Sequence, residues 1–167
     1  KITKIEGLYN LIKLTHLYLW NNQITKIEGL DKLISLTYLC LSWNGITTIK
    51  GLDKLVNLTH LNLSENEITK IDGLDNSVNL THLYLWSNKI TKMENIMHLR
   101  RLVRFSYQDN PILYTPPHIR RFLNRIDGNK NIYNNRQSVH DSYIQQSVIK
   151  SINNLLNNPN DYGNIFV

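Results

Sequence analysis

Cysteines and long apolar runs are both scarce in this chain. No stretch of roughly 18 or more consecutive apolar residues occurs, which excludes a helical membrane span. Cys40 is the single cysteine, so no internal disulfide can form, and this favours a reducing compartment, cytoplasmic or nuclear. The opening residues, Lys1-Ile2-Thr3-Lys4-Ile5-Glu6-Gly7, have no apolar signal core and no initiator Met. They start in the middle of a repeat, which leads us to expect a fragment of a longer protein. A phosphate-binding P-loop, a Gly-rich nucleotide fingerprint, a paired-carboxylate site and a metal-ligand cluster are all missing. The expectation is therefore a protein that is not an enzyme and holds neither cofactor nor metal.

Acidic residues are also unevenly short. The net charge is +6. Residues 1–88 hold eight Lys and eight acids, while residues 89–167 hold four Lys and seven Arg against five acids. Steering of an acidic partner would thus come from the C-terminal part.

What the chain does have is repetition. Written in lines of 22 from Lys1, it aligns with itself without a gap through Asn110. Asn22, Asn44, Asn66, Asn88 and Asn110 form one column. Leu17, Leu39, Leu61 and Leu83 form a second, continued by Phe105, and Leu19, Leu41, Leu63 and Leu85 a third, continued by Tyr107. Ile24, Ile46, Ile68 and Ile90 follow, then Ile27, Ile49 and Ile71, with Gly7, Gly29, Gly51 and Gly73 before a further leucine. Leu-x-Leu is period-two spacing, so Leu17-Tyr18-Leu19 reads as a short strand with its leucines inward. The Asn after it can satisfy turn backbone with its amide. Glycine permits a tight start to a short helical segment on the far side. One coil cannot bury its apolar face, whereas stacked coils share a continuous core. The fold class is α/β: a solenoid, or horseshoe, with a concave parallel β-sheet and a C-terminal helical cap.

The columns resemble the 22-residue class of leucine-rich repeats, the class of the nuclear regulatory subunit of protein phosphatase 1 and of a spliceosomal adaptor. The resemblance covers residues 1–126 and implies a binding scaffold with no fixed partner. It divides the chain into five repeats over 1–110, a cap helix within 111–126, a polar linker over 127–137, and a helix with tail over 138–167. In the cap, Ile119, Phe122, Leu123 and Ile126 share one helical face behind Pro116 and Pro117. Ser138 and Asp141 make a capping box for a helix running to about Asn157. The segment Ser138–Ser147 resembles leucine-rich proteins of giant amoebal DNA viruses.

Side chains between the strand leucines point out of the concave face. His16, Tyr38, His60, His82 and Arg104 make one such column. Tyr18, Cys40, Asn62 and Tyr84 make the next. Trp20 and Trp86 stand in a third with Ser42 and Ser64 between them, and Trp43 lies just beyond. The pairs Tyr18–Trp20 and Tyr84–Trp86 fall in equivalent places three coils apart, roughly 14–15 Å at sheet spacing. Two aromatic walls around a small polar floor could hold a helix or extended peptide, although coil duplication (THLYLWNN against THLYLWSN) also accounts for the pairs. His60 and His82 adjoin but have no third ligand, and Cys40 with His60 has no orienting group, so metal binding and catalysis are not expected here. Cys40 reads as an exposed thiol. Arg100, Arg101, Arg120, Arg121 and Arg125 form a basic end, either a solvated cap or a site for an acidic protein. Nucleic acid is the less favoured partner because no exposed aromatics are interleaved with them. The reading is a monomeric, intracellular scaffold binding another protein. Its alternatives are a recognition module for a C-terminal effector or a nucleic-acid adaptor.

Overall fold

The computed structural model describes residues 1–127 and 165–166. The helix expected from Ser138 to about Asn157, and the linker beyond Asp127, lie outside the described residues. Five strands of three residues recur at an unvarying interval: β1 His16–Tyr18, β2 Tyr38–Cys40, β3 His60–Asn62, β4 His82–Tyr84 and β5 Arg104–Ser106. Each carries a fully inward leucine or phenylalanine at its centre. All pair in parallel, and the register His16–Tyr38–His60–His82–Arg104 advances one coil per strand without slipping. A short sixth strand, β6 Ile165–Phe166, pairs in parallel with the outer edge of β1.

The Asn column closes the bend after each strand. Asn66 Nδ2 donates to the carbonyl oxygens of Leu41, Leu63 and Ser64 at 2.9–3.1 Å, while its Oδ1 accepts from the Ile46 amide at 2.9 Å. Asn44, Asn88 and Asn110 repeat this arrangement one coil down or up. Each Asn therefore ties its own coil to the one before it, in a place where buried backbone would otherwise be unsatisfied. The residue just ahead of it is left-handed in every coil: Asn21, Trp43, Glu65, Ser87 and Asp109 have φ between 51° and 56°.

The far side differs from expectation. No short helical segment follows the glycines; two consecutive turns take its place. In coil one the Leu11 amide donates to Leu8 O and the Leu14 amide to Leu11 O, both at 2.9 Å, and later coils repeat the pair. Three-residue spacing explains this, because turns closed three residues apart bring Leu8, Leu11 and Leu14 back to the same side each time. A continuous α-helix would rotate them progressively away from the core. Glycine is required before these turns for a reason stronger than flexibility. At Gly51, with φ 89°, an added Cβ would overlap the Ile27 carbonyl oxygen of the preceding coil.

Helix α1, Pro117–Asp127, covers the last coil. Ile119, Phe122, Leu123 and Ile126 are buried and continue the leucine core, which runs unbroken from Ile5. Each such side chain contributes about 1.5–3 kcal/mol of burial, so the cap replaces the contacts a sixth coil would supply. No helix among the described residues is long and apolar enough to cross a membrane.

Candidate functional site

The strands hold their outward side chains in rows across the concave face, and the first row is a continuous ladder of rings. His16 stacks on Tyr38 at 5.7 Å between centroids, Tyr38 on His60 at 5.6 Å, and His60 on His82 at 4.2 Å with planes only 11° apart. Arg104 ends the row, its guanidinium 5.8 Å from the Tyr84 ring centre. Neighbouring strands lie about 4.8 Å apart, which is the reason rings in one row must touch.

A column of threonines beside the ladder fixes the chemistry of its rings. The Thr59 hydroxyl donates to the Thr37 carbonyl oxygen at 3.0 Å and also meets His60 Nδ1 at 2.9 Å. Its one proton goes to the carbonyl, so toward the imidazole it can only accept. This arrangement favours the neutral tautomer that carries its hydrogen on Nδ1. Thr81 repeats the arrangement, reaching Thr59 O and His82 Nδ1 at 3.0 Å each. Thr15 meets His16 Nδ1 at 3.0 Å. The sequence carried a signal for this column, since Thr15, Thr37, Thr59 and Thr81 recur ahead of the ladder, but the ring tautomers follow only from the stacking.

The second row corrects two expectations. Cys40 is not an exposed thiol: it is buried at 6% exposure, with Sγ 3.3 Å from Ser42 Oγ. It pairs across the sheet with Asn62, which in turn accepts from Ser64 Oγ at 2.6 Å. Tyr18 and Tyr84 are not equivalent walls either. Tyr18 is buried against Tyr38, 4.8 Å between ring centres, whereas Tyr84 is half-buried beneath Arg104. Burial, and secondarily the negative charge Cys40 would carry, push the Tyr18 phenol up to about 12. Burial also lowers His16 from its ordinary value.

Trp20 and Trp43 are exposed and Trp86 is half-buried. Ser42 and Ser64, between Trp20 and Trp86, are buried. The face is thus an aromatic shelf with indoles along one margin. Among the described residues no group of three or more His, Cys, Asp or Glu side chains could hold a metal ion. An open recess lined by Asn10, Leu11, Ile12, Lys13 and Leu14 lies at the turn side of coil one, away from the shelf. The arginines are distributed: Arg100 and Arg101 on the return turn of coil five, Arg104 on β5, and Arg120, Arg121 and Arg125 on α1. Arg125 lies over the Phe122 ring at 4.9 Å.

A family model for two copies of the leucine-rich repeat matches residues 34–76, and one for a single repeat matches residues 13–33. The coils are leucine-rich repeats. Solved leucine-rich structures agree with this architecture. An internalin (inlF) from Listeria monocytogenes is similar at 30% identity and a TM-score of 0.62, covering 68% of this chain. An internalin C2 from the same organism is similar at 30% identity and a TM-score of 0.58, also over 68% of the chain. The functional domain of InlJ from Listeria monocytogenes, which includes a cysteine ladder, is similar at 28% identity and a TM-score of 0.58 over 65%. The chain spans 34%, 60% and 23% of those three proteins respectively. No curated protein sequence matches it.

Proposed function

We propose that this chain is a protein-binding scaffold, without enzymatic activity of its own, whose partner lies across the concave face of the leucine-rich repeats. The observation that carries this reading is the shelf. Four stacked rings from His16 to His82 are bordered by exposed Trp20 and Trp43, and Arg104 stands at the far end. Solvent-facing tryptophan is a poor use of apolar surface unless a partner covers it, and Trp, Tyr and Arg dominate the binding energy of interfaces. Rings already locked by neighbouring coils lose little freedom when a partner arrives. Leucine-rich repeats commonly serve protein interaction, which supports the reading without naming a partner.

The lone cysteine favours a cytoplasmic or nuclear scaffold, and we propose that it acts as a monomer. The 22-residue period supports kinship with the repeats of the phosphatase regulatory subunit, and the likeness of residues 138–147 to leucine-rich proteins of giant amoebal viruses supports such a source.

A pull-down from host-cell lysate tests the function, comparing the chain with its Trp20→Ala/Trp86→Ala variant by mass spectrometry. A protein held by the first should drop by about tenfold or more with the second, as expected for interface anchors. Equal retention by both, with circular dichroism confirming that the variant is folded, would remove the concave face as the binding surface.

A further inference from the structure

Away from the concave face, one column holds residues that its local geometry does not call for. Ile12, Ile34, Val56 and Val78 stand at the first central position of the second return turn in coils one to four. Turn centres favour Gly, Pro, Asn, Asp and Ser, whereas branched aliphatics favour strands. Burial does not explain them, for each is between 46% and 56% exposed. The adjacent leucines supply the core at these turns, and about half of each side chain in the column is left facing solvent.

The row is presented on a fixed backbone. Asn57 Nδ2 donates to the Ile34 carbonyl oxygen and Asn79 Nδ2 to that of Val56, both at 2.9 Å. Basic residues outnumber acidic ones beside it in the sequence. Lys13 neighbours Ile12, Lys32 and Lys54 lie two residues ahead of Ile34 and Val56, and in coil five Arg100 occupies the column itself. All four are exposed. The nearest acids, Asp31, Asp53 and Asp75, are one residue further away on the first turn.

We propose that the Ile12–Val78 row is a docking stripe for an amphipathic helix of a partner protein, one with acidic residues flanking its apolar face. Pitch selects a helix over a strand. A helix brings a side chain back to the same face about every 5.4 Å, while the coils repeat at about 4.8 Å where their strands pair and at no less on the outer side of a concave sheet. Across three steps the two drift apart by only about 2 Å, so four anchors engage together. A strand returns to the same face about every 6.7 Å and falls out of step by nearly 6 Å. Charge selects the flanks, since the lysines and Arg100 favour carboxylates beside the apolar seam. The stripe is separate from the ring ladder and does not depend on what binds there.

The test uses a synthetic helix with leucines at its first, fifth, eighth and twelfth positions flanked by glutamates, and a second with lysines in their place. Methyl NMR on the whole chain should show shifts centred on Ile12, Ile34, Val56 and Val78. The glutamate helix should bind about tenfold more tightly, the summed effect of a few exposed ion pairs, and the preference should shrink as salt rises. Val56→Asp should abolish binding while leaving the melting curve unchanged, because the side chain is exposed. Equal affinity for both helices, shifts elsewhere, or binding that survives Val56→Asp overturns the proposal. So does sedimentation showing a dimer that Val56→Asp dissolves, which would make the row a contact between two copies of this chain.

Discussion

Single residues in this chain are judged by the coil beside them. Asn66 is buried, and its amide serves three carbonyls and one amide proton across two coils. Asn66→Ala leaves the Ile46 amide and the Leu41 carbonyl without those partners. We expect a loss of about 2–4 kcal/mol in urea unfolding; a loss under half a kcal/mol would mean that water replaces the side chain. Trp43 poses the opposite case. It is exposed and holds φ 56°, a conformation that costs ordinary residues roughly 1–2 kcal/mol and suits Asn better. Coil one has Asn21 at the same place with the same φ. Trp43→Asn should therefore raise stability by about 0.5–1 kcal/mol while weakening capture of a concave-face partner. A destabilised variant would show instead that the indole contributes packing that outweighs the strain.

Among the elements, the strands were legible from the sequence and the depth of their side chains was not. Five columns of Leu, Ile and Asn at one interval dictate parallel three-residue strands in strict register, because any slip would carry the leucines out of the core. The same hexapeptide, Thr-His-Leu-Tyr-Leu-Trp, fills residues 15–20 and 81–86. Tyr18 is nevertheless buried and Tyr84 only half-buried. The difference lies in the neighbours: Tyr18 packs on Tyr38 and its strand is also paired by β6, whereas Tyr84 has Arg104 over its ring. No reading of one repeat could supply it. The return segment was misjudged for a related reason: glycine before a leucine triplet permits either a helix or successive turns, and the spacing of three decides. The ring ladder leads to a prediction at this scale. In neutral solution above pH 7.5, nitrogen-15 spectra should show hydrogen on Nδ1 of His60 and His82. Hydrogen on Nε2 would mean that the threonine hydroxyls donate to the rings and not to the coil below.

For the whole molecule, pH sensitivity should appear at both extremes. Burial lowers His16, so on acidification the unfolded chain takes up its proton before the folded chain does. Stability from this group is full above the ordinary histidine value of about 6.5 and declines as pH falls below it. Tyr18 works the other way, raised to about 12 in the fold. Its contribution is intact below the ordinary tyrosine value of about 10 and is lost as pH climbs toward 12. Unfolding midpoints measured from pH 5 to 11 should form a plateau that falls at each end. Tyr18→Phe should flatten the alkaline fall; no change in that variant would assign the fall to other groups.

The bonds that join the coils run along the stack, from one strand, Asn or Thr to the next. A pull on the two ends of the repeat array therefore loads these bonds head-on and in series, with no set of strands sheared together. The array should give way one coil at a time at low force. Each release would pay out 22 residues, at most about 75 Å of extended chain, and the coils still stacked would remain ready to receive it again when the tension drops.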